Sequence, residues 1–214
     1  MKTDDLLDAL AADLTPASAW TVQARFLAGA GVAVAVALAL VLFWLKLRPD
    51  LVVAVGGATF WMKAAYTAAL SVAGFWCAER LARPEASARG GVTVAALAVA
   101  VLVALGVAGL AVAPASERLA LLMGNSWRRC PVSILALAVP GLVVGLLIMR
   151  RFAPTRLRLA GAATGLLAGG VAASAYGLHC PETAPAFVAI WYTLGIASST
   201  GLGALIGPSA LRWR

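Results

Sequence analysis

The alternation of apolar and polar positions along this chain is interrupted by long runs that have no polar face. Residues 26–45, 91–113, 132–149, 159–178 and 186–206 carry no charge and consist largely of Ala, Val, Leu, Ile and Gly. Each run is too long for a strand and lacks the polar period of a surface helix, so each predicts a helix that is apolar all round. About 20 such residues, rising ~1.5 Å each, cross the ~30 Å hydrocarbon core of a bilayer. Their edges carry stop signals: Arg25 and Lys46, Pro114, Cys130-Pro131 and Arg150-Arg151, Arg158 and His179, and Gly207-Pro208. A sixth run, 57–78, contains Lys63. That lysine lies less than two turns from the start of the run, from where a long side chain can snorkel to the interface. The expected fold is all-α: a six-transmembrane-helix bundle over residues 26–214, preceded by a polar segment, 1–25.

Composition agrees with lipid as the solvent. Hydrophobic residues make up 62% of the 214 residues and charged residues 12%, against roughly 45–50% and ~25% in soluble domains. This excludes a soluble enzyme, a free DNA-binding domain and a disordered chain. The first 25 residues are polar and acidic, unlike a cleavable signal peptide, so the first apolar run is expected to be a retained anchor. The net charge of +8 then reports topology. With six spans, 11 of the 17 Lys and Arg fall on the side of the termini and 6 on the other. The excess of Lys and Arg expected on cytoplasmic loops places both termini in the cytoplasm; Arg128-Arg129 runs against that trend.

Two spans carry small residues at four-residue steps. One has Gly161, Gly165, Gly169, Ala173 and Gly177, and the next has Gly195, Ser199, Gly203 and Gly207. Such stripes let backbones approach closely where no hydrophobic drive exists between helices. They predict close packing within one bundle, with a dimer interface or a hinge as the alternatives. No Asp, Glu or His lies in the middle of a span, which argues against a proton- or ion-coupled transporter.

Of the three cysteines, Cys77 has the setting of a small buried hydrophobe. Cys130 and Cys180 are each followed by proline, and the span count puts both at one membrane face, the periplasmic one, with His179 beside them. An oxidising compartment allows a disulfide. Two thiols and an imidazole equally suit a transient soft metal ion or a redox-sensing pair. The residues leave these readings open, as they do two unpaired interfacial cysteines.

Four of the nine acids fall in the first thirteen residues: Asp4, Asp5, Asp8 and Asp13, interleaved with Leu6, Leu7, Leu10 and Leu14. The spacing predicts a short amphipathic helix, capped by Thr3 and ended at Thr15-Pro16. Its polar face is acidic, which disfavours an anionic membrane surface and fits a peptide laying its leucines in a partner's groove.

The opening residues 1–14, Phe60-Trp61-Met62-Lys63 with Tyr66, Trp127-Arg128-Arg129-Cys130-Pro131 and His179-Cys180-Pro181-Glu182-Thr183 together resemble the NrsF-type anti-sigma factors, over essentially the whole chain. The resemblance implies a six-span inner-membrane protein. It implies an amino terminus that holds an extracytoplasmic-function sigma factor through its acids and leucines. It also implies that Cys130 and Cys180 are required for the response to heavy metals or oxidants. Catalytic triads, phosphate-binding glycine loops and paired carboxylates are absent from the sequence, so no catalytic residues, no resident cofactor and no direct contact with nucleic acid are expected. The alternatives are a membrane thiol oxidoreductase, weakened by the absence of any CxxC, and a heavy-metal permease, weakened by the absence of acids or thiols deep in the spans.

Overall fold

The computed structural model describes residues 19–83 and 87–212. The acidic leucine segment, with Asp4, Asp5, Leu6, Leu7, Asp8, Leu10, Asp13 and Leu14, lies outside them. Among the described residues the chain is helical, with no strand. Helix α1 is Ala19–Leu40, continued by a π-helical turn, Val41–Leu45. The short α2 (Leu51–Val55) leads into α3 (Ala58–Leu81), followed by α4 (Arg89–Val112), α5 (Ala115–Met123), α6 (Cys130–Arg150) and α7 (Leu157–Tyr176). Helix α8, Pro185–Ala210, includes a second π-helical turn at Val188–Tyr192.

Local chemistry explains several of the ends. Pro131 sits in the first turn of α6 and Pro185 opens α8, positions where the missing N–H is no loss. Pro114 precedes α5 with extended backbone and so separates α5 from α4. After the first π turn Lys46 takes φ 67°, a left-handed conformation uncommon for a residue with a β-carbon. Its backbone N–H closes the turn on the Val41 carbonyl.

The apolar runs predicted from sequence all lie in helices, whose observed ends differ from the expected ones by a few residues; α1 begins seven residues early. Both short helices, α2 and α5, were missed, because five and nine residues are too few for a periodic signal. Five of the six expected spans are matched by length and composition among the described residues. Five helices are long and apolar enough to cross a membrane: Val22–Leu45, α4, α6, α7 and α8. Helix α3 has 24 residues, but Lys63, Glu79 and Arg80 lower its apolar character, so it does not qualify on composition.

Helix α7 is the hub. It packs most extensively on α8, then on α3 and α6, and also touches α1. Of its most apolar stretch 78% is buried, against 11% for α4, which leaves the Val and Leu side chains of α4 facing outward. The contact of α7 with α8 is made by glycines. A β-carbon on Gly161 would stand 2.1 Å from the Gly203 carbonyl oxygen, and one on Gly203 2.2 Å from that of Gly161. One on Gly165 would meet the Ser199 carbonyl oxygen at 2.3 Å. The Ser199 hydroxyl, fully buried, donates to the Gly165 carbonyl at 2.9 Å. Gly169 faces Ile196 and Ser199 across the same contact, whereas Gly195 faces Ile134 of α6. The stripe on α8 therefore serves two neighbours.

Candidate functional site

Three chain segments converge at one end of the bundle: the turn after α1, the stretch between α5 and α6, and the loop from Tyr176 to Pro185. Cys130 is the first residue of α6, and Cys180 lies in the loop after α7. Both side chains are fully buried, and their thiols are within hydrogen-bonding reach of each other. Both are free thiols. The pair separated by fifty residues in sequence is thus brought together.

The loop holding Cys180 is gripped from beneath by Lys63 of α3. The lysine is 3% exposed, and its ammonium donates to the Cys180 carbonyl at 3.0 Å and the Glu182 carbonyl at 3.2 Å. Its charge also lies 5.7 Å from the centre of the Tyr192 ring. The expected snorkelling of Lys63 takes a different form: the side chain reaches the loop at this end of the bundle but ends on its carbonyls inside the fold, not in solvent. Carbonyl acceptors inside the bundle offer the ammonium the hydrogen bonds that the interface would otherwise supply. Arg48 adds a second grip: its backbone N–H donates to the Leu178 carbonyl at 3.1 Å and its guanidinium to the Cys180 carbonyl at 3.4 Å. Asp50 accepts two bonds from Arg48 at 2.7 Å. The Arg48 bond holds the Asp50 carboxyl below the usual carboxylate range, and the same bond raises the guanidinium above its ordinary value against the cost of burial.

Glu182 ties the loop to the segment before α6. Its Oε1 accepts from the Asn125 N–H at 2.8 Å and from the Ser126 hydroxyl at 3.2 Å. Gly124 has φ 53°, and a β-carbon there would stand 2.7 Å from the Glu182 carboxylate, so both the turn and the close approach require glycine. Ser126 also reaches the Cys180 sulfur, at 3.8 Å. Tyr192, the last residue of the π turn in α8, is fully buried, and its hydroxyl has no hydrogen-bond partner as placed. The Cys180 sulfur is the polar atom that it faces.

These surroundings make Cys180 the more acidic member of the pair. The hydrogen bond from Cys130 lowers its value most, against desolvation. The Lys63 charge, the backbone N–H of Glu182 and the Tyr192 hydroxyl lower it further. Above the loop lies a cavity of about 600 Å³, lined in part by Trp44, Ser126, Trp127, Arg129, Tyr176 and His179.

His179 does not join the thiols. Its Nδ1 is 2.8 Å from the Lys46 carbonyl, which orients the ring over the turn after α1. Among the described residues no group of three or more His, Cys, Asp and Glu is arranged to hold a metal ion. The third cysteine, Cys77 of α3, lies elsewhere, 4% exposed, with its thiol 3.6 Å from the Ala88 carbonyl.

Comparison with known proteins decides the family. The family model described as negative regulator of sigma F, NrsF, matches residues 10–213. The chain belongs to the NrsF family. The anti-sigma-F factor NrsF of Caulobacter vibrioides is 44% identical over 214 residues, covering both chains in full. The probable anti-sigma-F factor NrsF of Azospira oryzae is 38% identical over 213 residues, again covering both. Both NrsF relatives are named as regulators rather than as enzymes. No solved structure matches the chain.

Sequence reasoning found the two thiols of this NrsF protein but missed what holds them: Arg48, Ser126 and Tyr192, and the parts that Lys63 and Glu182 play. Signals for two of these were present. Lys63 is the charge inside an otherwise apolar run, and Glu182 is the sole acid after Glu117. Nothing in the sequence marked Tyr192, because its burial depends on how α8 crosses α7.

Proposed function

We propose that this protein is a membrane anti-sigma factor that holds an extracytoplasmic-function sigma factor and releases it when the thiol pair Cys130–Cys180 is oxidised. The observation that carries the sensing half is the placement of two free, buried thiols in contact, one made acidic by its surroundings, at one end of a packed bundle. The names of the full-length relatives support a sigma factor as the partner. We assign its capture to residues 1–14, whose acids and leucines suit a groove in a soluble partner.

In this reading α3 is the sixth span, because its polar residues are sheltered. Lys63 bonds to loop carbonyls, and Glu79, 7% exposed, pairs with Arg83 and Arg80 near the other end. Six spans put the thiol pair at the periplasmic face of an inner membrane and both termini in the cytoplasm. Redox sensing is favoured over metal sensing by the local charge. Lys63 and Arg48 surround the pair and disfavour a cation, and His179 is engaged elsewhere.

The test is recovery of the cognate sigma factor with full-length protein from membranes, with and without hydroperoxide. Deletion of residues 1–14 is expected to abolish recovery, and Cys130→Ser with Cys180→Ser is expected to make it insensitive to the oxidant. Recovery unchanged by the deletion overturns the docking assignment, and release from the double variant overturns the sensing assignment.

A further inference from the structure

Lys63 presents a problem of charge. Its ammonium is 3% exposed, and buried lysines are almost always paired. Among the described residues no carboxylate reaches it: the ion pairs are Arg48 with Asp50 and Glu79 with Arg80 and Arg83. Glu182 offers Lys63 only its backbone carbonyl, while its carboxylate is occupied by Asn125 and Ser126. Asp50 is engaged by both arms of the Arg48 guanidinium. Two carbonyl acceptors satisfy the ammonium's hydrogen bonds without balancing its charge, and an unbalanced buried charge is costly.

A group able to supply the balance is Cys180. Its own carbonyl is bound to the ammonium. Around its sulfur lie the Cys130 thiol, the Ser126 hydroxyl and the Tyr192 hydroxyl. The first and the last are free to donate, whereas the Ser126 proton goes to Glu182. A neutral thiol is a weak acceptor and has little use for two donors, whereas a thiolate accepts both. The orphaned, fully buried Tyr192 hydroxyl is explained at the same time.

We propose that the reduced thiol pair is a monoanion, with the charge on Cys180 and the proton on Cys130, and that this charge is the counter-ion of Lys63, so that oxidation unlocks the loop by removing it. The proposal deepens the sensing function given above and rests on it for its regulatory consequence. With a hydroperoxide as oxidant, the Cys180 thiolate attacks the distal peroxide oxygen, the O–O bond breaks, and an alkoxide or hydroxide leaves, giving a sulfenic acid. The Cys130 sulfur then attacks the Cys180 sulfur, the S–O bond breaks, and water leaves carrying the Cys130 proton. Two electrons pass to the peroxide and an S–S bond remains, with no negative charge on either sulfur. The 600 Å³ cavity brings solvent-borne oxidant as far as Ser126, which touches Cys180. Lys63 and the carbonyls of Cys180 and Glu182 are then left with an unbalanced charge in the interior, and hydration of the loop becomes the cheaper state.

Raman spectroscopy of the S–H stretch tests the charge assignment on the full chain in phospholipid nanodiscs at neutral pH. Of three cysteines, two are expected to carry S–H in the reduced wild type, so Cys180→Ser leaves the S–H intensity unchanged. A one-third loss of intensity in Cys180→Ser overturns the proposal. Lys63→Met is expected to restore the third S–H and Lys63→Arg to keep two. Should the methionine variant fail to fold, the wild type against Cys180→Ser still decides. For the unlocking step, hydroperoxide is expected to speed amide exchange over residues 178–184, and equal exchange in oxidised and reduced protein overturns that step. None of these readouts involves a sigma factor, so a failed release assay leaves the charge assignment standing, and the reverse also holds.

Discussion

The contact between α7 and α8 and the cluster around Cys180 are both densely packed, yet they solve opposite problems. Where α7 meets α8, the chain removes side chains. Gly161, Gly165 and Gly203 bring backbone against backbone so closely that a single β-carbon meets a carbonyl oxygen at 2.1–2.3 Å. Around Cys180 the chain adds side chains, with Lys63, Arg48, Glu182, Ser126 and Tyr192 arriving from five separate segments. The first contact is held by dispersion between rigid helices and has one good arrangement. The second is held by charge and hydrogen bonds, and in the proposal above their balance depends on the state of one sulfur atom. A sensor needs both: a part that does not move, and a part whose stability a chemical change can alter.

The comparison is broken most severely at the glycines. Gly161→Leu is expected to prevent α7 and α8 from docking, with loss of folded protein in detergent extracts. Gly161→Ala is expected to destabilise by about 1–3 kcal/mol, as overpacking commonly does, measured by denaturation in mixed micelles. Gly201→Ala, where the added atom meets nothing within 4 Å, is the control. It should be neutral or gain up to about 1 kcal/mol from helix propensity.

Next comes the support of the cysteine loop. Glu182→Ala removes the acceptor for Asn125 and Ser126 and is expected to cost about 1–3 kcal/mol. It should also raise amide exchange at residues 124–126 without disturbing α7 and α8. If exchange rises equally throughout the bundle, the two regions are one cooperative unit and the comparison fails.

Oxidation kinetics give a subtler signature. The depressed Cys180 value means that the thiolate contribution is present above the ordinary thiol range and persists below it. It is lost only as pH falls through the lowered value in the folded protein. The rate of disulfide formation is therefore expected to be flat around neutral pH and to fall on acidification. A rate that climbs steadily through the ordinary thiol range contradicts the environment described for Cys180. Cys77→Ala should leave this profile unchanged, since Cys77 has no second sulfur beside it.

The smallest effect is expected at Asp50. Its value is lowered by Arg48, so whatever the pair adds to stability is present above the ordinary carboxylate range and lost as pH falls through the lowered value. Asp50→Asn should remove that acid-side dependence and little else, because the carboxylate is exposed and screened.

Much of the helix map was legible along the chain. Unbroken apolar runs between Arg, Lys and Pro mark α1, α4, α6, α7 and α8, because a bilayer imposes one length and one polarity on whatever crosses it. Helix α3 was less legible. Lys63 and the Glu79–Arg80 pair are tolerable only because other segments receive them, which no local rule registers. The short α2 and α5 fall below the length at which periodicity speaks. At the site, the proline after each cysteine and the parity of the span count pointed to a shared membrane face for Cys130 and Cys180. Face-sharing is weaker than contact, and contact needed the loop after α7 to fold back over the start of α6.

By itself the sequence determined the apolar character of the helices, their approximate bounds and the small-residue stripes, since these depend on composition and on spacing within single segments. The three-dimensional packing alone decided that Lys63 stays inside and His179 stays apart from the thiols, and that Tyr192 and Ser126 face Cys180. Those outcomes depend on distances between segments up to 133 residues apart, and on the requirement that every buried charge and donor find a partner once neighbouring helices exclude water.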